Sequence, residues 1–261
     1  MNCLIETALL THGLRSIANE ELAQSWHCPD AILAWVDRGE LKLGPIGEYL
    51  PFRERSEELI RIDCDHLEEA LQTGASGALT ASGTMAVCRR LDIPMAITCG
   101  MGGIGDLRGE ELCPDLPALM NIPVALISTS PKDMLDRPAT LDWLCQHGVH
   151  TAGEPCTGYL FCGEPVALEL PLSSCNNEAA VRRLTANGGL LLLNPIPEKE
   201  RVQDRSILVD AIKAGKQAEA EGHYYHPAAN GEIDRRTGGY SSRIQLESIQ
   251  QNYLLAKSIM D

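Results

Sequence analysis

Long uninterrupted apolar segments are missing from this sequence, and so is a basic region ahead of the first apolar residues. No segment approaches the roughly 18 consecutive apolar residues that a membrane-spanning helix requires. The first residues, 1–6, carry no lysine or arginine, whereas a secretory signal begins with a basic region. We therefore expect a cytoplasmic protein without a membrane partner.

Positive charge is also scarce, and the cysteines follow no metal-binding spacing. The chain has 22 Lys and Arg against 36 Asp and Glu, which gives a formal net charge of -14. Such a charge disfavours nucleic acid as a partner, because phosphate neutralisation needs clustered cations. The ten cysteines are scattered without a C-x-x-C pair, so zinc and disulfides are not expected. An anionic small substrate would need a local basic pocket.

What the sequence does contain is an alternation of strand-like and helix-like segments over 261 residues, 44% of them hydrophobic. That alternation predicts the α/β class, which we assign to one domain covering residues 1–261. Residues 151–174, rich in Gly, Pro and Cys, are interpreted as strand and loop. The predicted strands are 95–98, 122–128 and 190–193, and the predicted helices are 81–91, 138–147, 177–187, 204–221 and 246–260.

Lys132 is one of only six lysines and follows the apolar run 122–128. Thr129-Ser-Pro131 breaks the run, which places the amine at the carboxyl end of a predicted strand. Ligands of open α/β sheets bind in the crevice at these ends, where a desolvated amine has a lowered pKa and can attack a carbonyl carbon. The alternative is an exposed loop lysine.

Glu6 lies in a second apolar run, residues 4–10. A carboxylate in a strand-like run is paired or used when it is buried, because burial of an unpaired charge costs several kcal/mol (about 3 or more). The alternative is an edge strand on which Glu6 faces water.

Three further segments suggest ligand contacts. Residues 100–105 match G-x-G-x-x-G, but no ribose-binding acidic residue follows at the right distance, so the glycines are better explained by close backbone approach to a substrate. Residues 74–80 open into a helix whose start could face an anion together with Arg61, or be an ordinary N-cap at Thr80. Glu111 and Asp115 could jointly face Mn or Mg, or could simply be solvated.

Taken in order along the chain, these segments resemble the pseudouridine-5'-phosphate glycosidase family, also called indigoidine synthase A-like. The resemblance covers nearly the whole chain, and the segment Asn194-Pro-Ile-Pro-Glu198 matches the family unchanged. The other matching segments are residues 6–13, 77–81, 98–103, 111–116, 130–136 and 237–239.

The resemblance implies a three-layer α/β/α sandwich around a mixed central sheet, assembled as a homotrimer. It implies a glycosidase or lyase that cleaves, or reversibly forms, the C-glycosidic bond of a ribosyl 5-phosphate C-nucleotide such as pseudouridine 5'-phosphate. The reaction would pass through a lysine Schiff base with the ring-opened sugar, and the partner is a small molecule that contains ribose 5-phosphate.

The resemblance also implies roles for individual residues. Lys132 would be the nucleophile, Glu6 the proton donor, and Glu111 the ligand of a divalent metal, which the resemblance implies to be manganese. The residues implied in substrate binding are His12, Arg61, Thr80, Ala81, Cys113, Pro114, Asp115 and Gln245. The family has a histidine after its glycine loop, and this chain has none in the corresponding residues 104–109, which leaves the nucleobase open.

Three alternatives remain. The first is a biosynthetic synthase of the same family that joins ribose 5-phosphate to a carbon nucleophile. The second is an inactive homologue that only binds a sugar phosphate; the presence of Glu6, Lys132 and Asp115 together argues against it. The third is a sugar-phosphate aldolase with a strand-end lysine, which would need eight βα units that the sequence does not show.

Overall fold

The computed structural model describes residues 2–105, 113–155, 157–186, 188–223 and 225–260. The strands are β1 (Cys3–Ile5), β2 (Leu33–Asp37), β3 (Glu40–Gly44), β4 (Ile60–Ile62), β5 (Gly77–Leu79), β6 (Met95–Ile97), β7 (Gly100–Met101), β8 (Ala125–Ser128), β9 (Ser130–Pro131), β10 (His150–Gly153), β11 (Leu170–Pro171) and β12 (Leu190–Leu193).

The α-helices are α1 (Asn19–Ser25), α2 (Ile46–Arg53), α3 (Leu67–Thr73), α4 (Ala81–Arg90), α5 (Asp115–Asn121), α6 (Arg137–Gln146), α7 (Glu178–Thr185), α8 (Ser206–Ala220), α9 (Tyr225–Arg236) and α10 (Tyr240–Met260). A π-helical turn spans Leu9–Gly13. Among the described residues, no helix combines the length and apolar character needed to cross a membrane.

The central sheet is mixed, as the family resemblance implies. Its strand order is β11-β10-β12-β8-β6-β1-β2-β5-β4, with β3 added as a hairpin partner of β2. The strands from β11 to β2 are parallel, whereas β5 pairs antiparallel with β2 and carries β4 with it. Along this order the sheet therefore reverses direction once, between β2 and β5, and the added strand β3 is also antiparallel to β2.

Helices cover both faces of the sheet. Alternate strand residues enter two separate cores; for example, Ile5 and Ile97 belong to one core, and Leu4 and Ala96 belong to the other. The first core is closed by α1, α2 and α7–α10, and the second by α3–α6. The predicted α/β/α sandwich is confirmed.

The reversal of direction brings two sets of strand ends to the same place. β1 ends where β2 begins, with Ile5 opposite Leu33. β5 runs back along β2, so that the N–H of Thr7, after β1, donates to the carbonyl of Leu79. Residues that follow β1, β5, β6 and β8 therefore converge, although β5 runs in the opposite direction to the others.

The predicted elements are found within a few residues of their expected bounds, with two differences. Helix α9 was not predicted, because Pro227, Gly231 and many polar residues obscure its periodicity; only a few residues such as Ala229 and Ile233 are buried. Helix α10 begins at Tyr240 instead of residue 246, since its first turns bury polar rather than apolar side chains such as Ser241.

Candidate active site

Lys132 stands directly after β9, a two-residue strand that continues from β8 and pairs with β7. Its backbone N–H donates to the carbonyl of Met101 at 3.2 Å, which extends this pairing by one residue. The predicted position of the lysine at the carboxyl end of a strand is confirmed. The side chain is half-buried and lines two neighbouring cavities.

We call these the wide cavity, of about 540 Å³, and the narrow cavity. The residues that line both of them are Arg61, Thr80, Asp115, Lys132 and His226. The wide cavity is additionally lined by Cys113 and Pro114, and the narrow cavity by Glu6, His12, Ala81, Tyr159 and Asn230. Nine residues predicted to form the site are thus brought together from separate segments of the chain.

The surroundings of Lys132 make its protonated form less stable than it is in water. Burial lowers its pKa, and the positive charge of Arg61 lowers it further, while Glu6, Asp115 and Cys113 act in the opposite direction. Among the described residues, none accepts a hydrogen bond from its amine. An amine with a lowered pKa and a free lone pair is suited to nucleophilic attack.

Glu6 follows β1 rather than lying inside it, and its side chain is only 6% exposed. The hydroxyl of Thr98, after β6, donates to Oε1 of Glu6 at 2.7 Å. Burial raises the pKa of Glu6 to about 7, although the Thr98 hydrogen bond and the charge of Lys132 lower it. A carboxylic acid with this pKa can hold and release a proton near neutral pH. The edge-strand alternative for Glu6 is wrong.

Helix α10 buttresses the strand ends that carry this pair. The amide Nδ2 of Asn252 donates to the carbonyl of Thr98 at 2.8 Å and to the hydroxyl of Thr129 at 3.2 Å. Ser248 hydrogen-bonds with the same Thr129 hydroxyl. The ends of β6 and β8 are therefore held together by buried polar side chains of one helix.

Asp115, the first residue of α5, is buried and cross-links two backbone segments. Its Oδ1 accepts from the N–H of Ser82 at 3.0 Å, and its Oδ2 accepts from the N–H of Gly102 at 2.8 Å. A Cβ at Gly102 would collide with the sulfur of Cys113, so a glycine is needed at that position for this close approach.

The start of α4 is occupied by protein groups, as in the N-cap alternative. The Thr80 hydroxyl accepts from the N–H of Gly83 at 3.3 Å, and Asp115 takes the N–H of Ser82. Thr80 nevertheless stays half-buried at the cavity wall. Arg61, on β4, lines the same wall, and it forms no hydrogen bond or ion pair with another described residue. Its guanidinium places a positive charge at this wall.

His12 lies in the π-helical turn and has a defined tautomer. Its Nε2 lies 3.0 Å from the carbonyl oxygen of Leu59, which can only accept, so Nε2 carries the proton. Its Nδ1 is buried and has no partner in the described part of the chain. Burial and the charge of Arg61 lower the pKa of His12, so the ring is neutral.

Gln245 is placed differently from its predicted neighbours. It is buried in α10, where Oε1 accepts from the hydroxyl of Tyr159 at 3.0 Å and Nε2 donates to the carbonyl of Ser241 at 3.1 Å. Tyr159 lines the narrow cavity, whereas Gln245 lines neither cavity. Its predicted contact with substrate stays a prediction.

The metal prediction rests on Glu111, which lies outside the described residues. Within those residues, no group of three or more His, Cys, Asp and Glu side chains could hold a metal. Both oxygens of Asp115 accept backbone hydrogen bonds, and burial raises the pKa of Cys113 to about 12, which disfavours a thiolate ligand. The described residues by themselves do not form a metal site.

Sequence reasoning missed three polar side chains of the narrow cavity: Tyr159, His226 and Asn230. Tyr159 comes from residues 151–174, for which the sequence predicts strand and loop. His226 and Asn230 come from α9, which the sequence does not predict. A histidine beside proline in a polar segment carries no periodic signal that points to a cavity. His226 places an imidazole beside Lys132, although the expected histidine after the glycine loop is absent.

The fold and the site define a class of α/β protein in which a buried carboxylic acid and a strand-end lysine share a cavity with an arginine. The chain belongs to the family described as indigoidine synthase A like protein, which it matches over residues 4–260. The predicted family is thereby confirmed.

Individual relatives agree with this assignment. The chain is 28% identical to a pseudouridine-5'-phosphate glycosidase of Methylobacterium nodulans, over 98% of this chain and 81% of that one. It is 29% identical to the protein of that name from Saccharopolyspora erythraea, over 98% and 90% of the two chains. The predicted enzyme class matches the names of these relatives.

Two solved structures share the fold. An indigoidine synthase A-like protein of Thermotoga maritima superposes with a TM-score of 0.78 at 19% identity, covering 98% of this chain and 91% of the other. The prealnumycin C-glycosynthase AlnA, solved in complex with ribulose 5-phosphate, has a TM-score of 0.76 at 22% identity, covering 98% and 90%.

Proposed function

We propose that this chain cleaves, and in reverse forms, the C–C bond between ribose 5-phosphate and a nucleobase-like ring, with pseudouridine 5'-phosphate as the reference substrate. The observation that carries the proposal is the convergence of Lys132, Glu6 and Arg61 on one pair of cavities. The relatives named as pseudouridine-5'-phosphate glycosidases support it.

Recognition of the phosphate falls to Arg61, helped by the Thr80 hydroxyl. The protein as a whole is strongly acidic, so a phosphate would be repelled at most of its surface. A guanidinium with no partner among the described residues, at the wall of a cavity of about 540 Å³, offsets that repulsion locally. The Cys113–Pro114 side of the wide cavity would then enclose the sugar phosphate.

Lys132 carries the covalent chemistry. Its neutral amine attacks C1', the C1'–O4' bond breaks, and O4' takes up a proton, which opens the sugar ring. The nitrogen lone pair then expels the ring carbon of the base, which takes a proton as it leaves, and a C1'=N imine remains on Lys132. Water hydrolyses the imine to ribose 5-phosphate and restores the amine.

Glu6 supplies and recovers the protons of this sequence. With a pKa of about 7 it is partly protonated at neutral pH, so it can give a proton to the leaving carbon and take one back during imine hydrolysis. Ordinary glycoside hydrolysis protonates a leaving oxygen, and a C–C bond offers none. Here the amine of Lys132 expels the carbon of the base, and the buried carboxylic acid of Glu6 protonates that carbon.

The decisive experiment traps the imine. The protein is incubated with ribose 5-phosphate and borohydride, and the adduct is located by intact mass and peptide mapping. We expect one sugar adduct, on Lys132, and none in Lys132→Ala. The matched control is Lys42→Ala, which removes a lysine ion-paired with Glu40 on the β2–β3 hairpin and should label like the natural protein. Labelling of Lys132→Ala, or uracil release by that variant, would refute the mechanism.

Two finer parts of the proposal rest on the family resemblance alone: a manganese ion held by Glu111, and assembly as a homotrimer. Chelation followed by readdition of Mn²⁺ should remove and restore the release of uracil, and Glu111→Ala should abolish the restoration. Sedimentation velocity should show a trimer; a monomer with full activity would contradict that part only.

A further inference from the structure

Four buried side-chain polar atoms have no hydrogen-bond partner in the part of the chain that the structure describes. Three of them, His12 Nδ1, His226 Nδ1 and Asn230 Oδ1, belong to residues that line the narrow cavity. A buried polar atom without a partner costs about 1–3 kcal/mol, so such atoms are rare in folded proteins. Their concentration around one cavity indicates that a ligand provides the missing partners.

Two of the three come from α9 and lie on one face of it. His226 and Asn230 are four residues apart, which places both side chains on the side of the helix that packs toward the turn carrying His12. Asn230 is only 8% exposed. The pair thus approaches the cavity on a rigid element rather than on a loop.

The chemistry of these atoms selects the kind of group they bind. His12 Nδ1 accepts, because its other nitrogen carries the proton, and Asn230 Oδ1 also accepts. Burial, then the charges of Lys132 and Arg61, lower the pKa of His226 well below its usual value, so its ring is neutral. A phosphate dianion, which offers only acceptors, cannot satisfy His12 Nδ1 or Asn230 Oδ1. A ring that presents N–H groups can.

The placement separates this group from the sugar phosphate. Cys113 and Pro114 line only the wide cavity, Asn230 lines only the narrow one, and Lys132 and His226 stand where the two meet. With C1' at Lys132 and the phosphate on the Cys113 side, the other substituent of C1' extends toward Asn230.

The narrow cavity itself has a volume of about 40 Å³, so a ring bound there must also occupy adjoining space. A cleft of about 840 Å³ adjoins the narrow cavity, and His12, Arg61 and Pro227 line both. A substituent that outgrows the narrow cavity can therefore extend into the cleft.

We propose that His226 and Asn230 are specificity-determining residues that bind the N–H groups of the leaving ring of the substrate. This inference rests on the function proposed above. It adds an assignment for the side of the site opposite the sugar phosphate, built from the helix that follows α8.

The test compares two reactions of the same variants. His226→Phe keeps an aromatic ring and Asn230→Leu keeps the branched shape of the side chain, but both lose the polar atoms. In each variant, kcat/KM for pseudouridine 5'-phosphate should fall about 10-fold. Borohydride trapping of ribose 5-phosphate on Lys132 should stay within about 2-fold for Asn230→Leu, because Asn230 lines only the narrow cavity and that reaction involves no leaving ring. His147→Phe, at the exposed end of α6, is the matched control.

The second readout is discrimination between substrates. The natural protein should cleave the N1-methyl or N3-methyl derivative of pseudouridine 5'-phosphate about 10-fold more slowly than the parent, because one N–H is lost, and the variants should no longer discriminate. Equal cleavage of parent and both derivatives by the natural protein overturns the inference, even if a variant fails to fold. An equal fall in trapping and cleavage for Asn230→Leu also overturns it, because Asn230 would then act on the sugar rather than on the leaving ring. Absence of any Lys132 adduct in the natural protein would instead refute the proposed function.

Discussion

Glu6→Gln should change how the stability of the protein depends on pH. The substitution keeps the shape of the side chain and an oxygen that can accept from Thr98, and it removes only the ionisation. Because the pKa of Glu6 is about 7 in the folded protein against 4.5 for an ordinary glutamate, the folded state holds a proton that the unfolded state has released between these values.

Proton linkage sets the sign of the effect. Where the folded state binds more protons than the unfolded state, the free energy of unfolding falls as pH rises. Glu6 therefore contributes stability to the natural protein that is lost between pH 4.5 and about 7, and Glu6→Gln lacks this contribution. At 1.36 kcal/mol for each pH unit, the free energy of unfolding of the natural protein should change relative to that of Glu6→Gln by about 3 kcal/mol across this interval.

The assay is urea unfolding at several values between about pH 4.5 and 8.5, followed by tryptophan fluorescence and analysed at constant m-value. A second pair of proteins, both carrying Lys132→Met, extends the test. The charge of Lys132 lowers the pKa of Glu6, so its removal should enlarge the difference and move it to higher pH. Parallel curves for the natural protein and the Glu6→Gln variant across the whole range would refute the reasoning, since Glu6 would then ionise as in water.

Two single contacts lead to further predictions. Thr98→Val removes the hydrogen bond that lowers the pKa of Glu6, so the loss of activity at high pH should move upward by as much as about one pH unit, whereas Thr98→Ser should leave the pH–rate profile unchanged. Gly102→Ala should lower stability by about 1–3 kcal/mol, since its methyl group collides with Cys113, and should lower kcat/KM at least about 10-fold. Gly47→Ala, in open space on α2, is the control and should be neutral or slightly stabilising by thermal unfolding; an equal loss in both glycine variants would contradict the steric argument.

The direction of the sheet explains why the site draws on distant parts of the chain. In a fully parallel sheet, only strands that run in the same direction would place residues next to the ends of β1, β6 and β8. Here β4 and β5 run the other way and bring Arg61 and Thr80 to the end of β1. Arg61 therefore faces the lysine across the junction between the two halves of the sheet.

Local sequence was enough for the features that local chemistry dictates. An apolar run of strand length followed by the polar residues Thr129 and Ser130 predicts a buried strand that ends just before Lys132, because a buried strand must be apolar. The same reasoning finds Glu6, since a carboxylate beside residues that must be buried has to be paired or used. The alternation of elements was sufficient for the α/β class.

Tertiary structure decided the rest, because the deciding contacts join residues far apart in the chain. No residue near Gln245 in the sequence indicates that its amide oxygen accepts a hydrogen bond from Tyr159. Nothing near His226 or Asn230 shows that a polar helix, broken in pattern by proline and glycine, turns one face toward Lys132. Local sequence identified Lys132 and Glu6 as candidates for the chemistry, whereas the reversal of the sheet brings Arg61 to them and the packing of α9 on the turn at residues 9–13 adds His226 and Asn230.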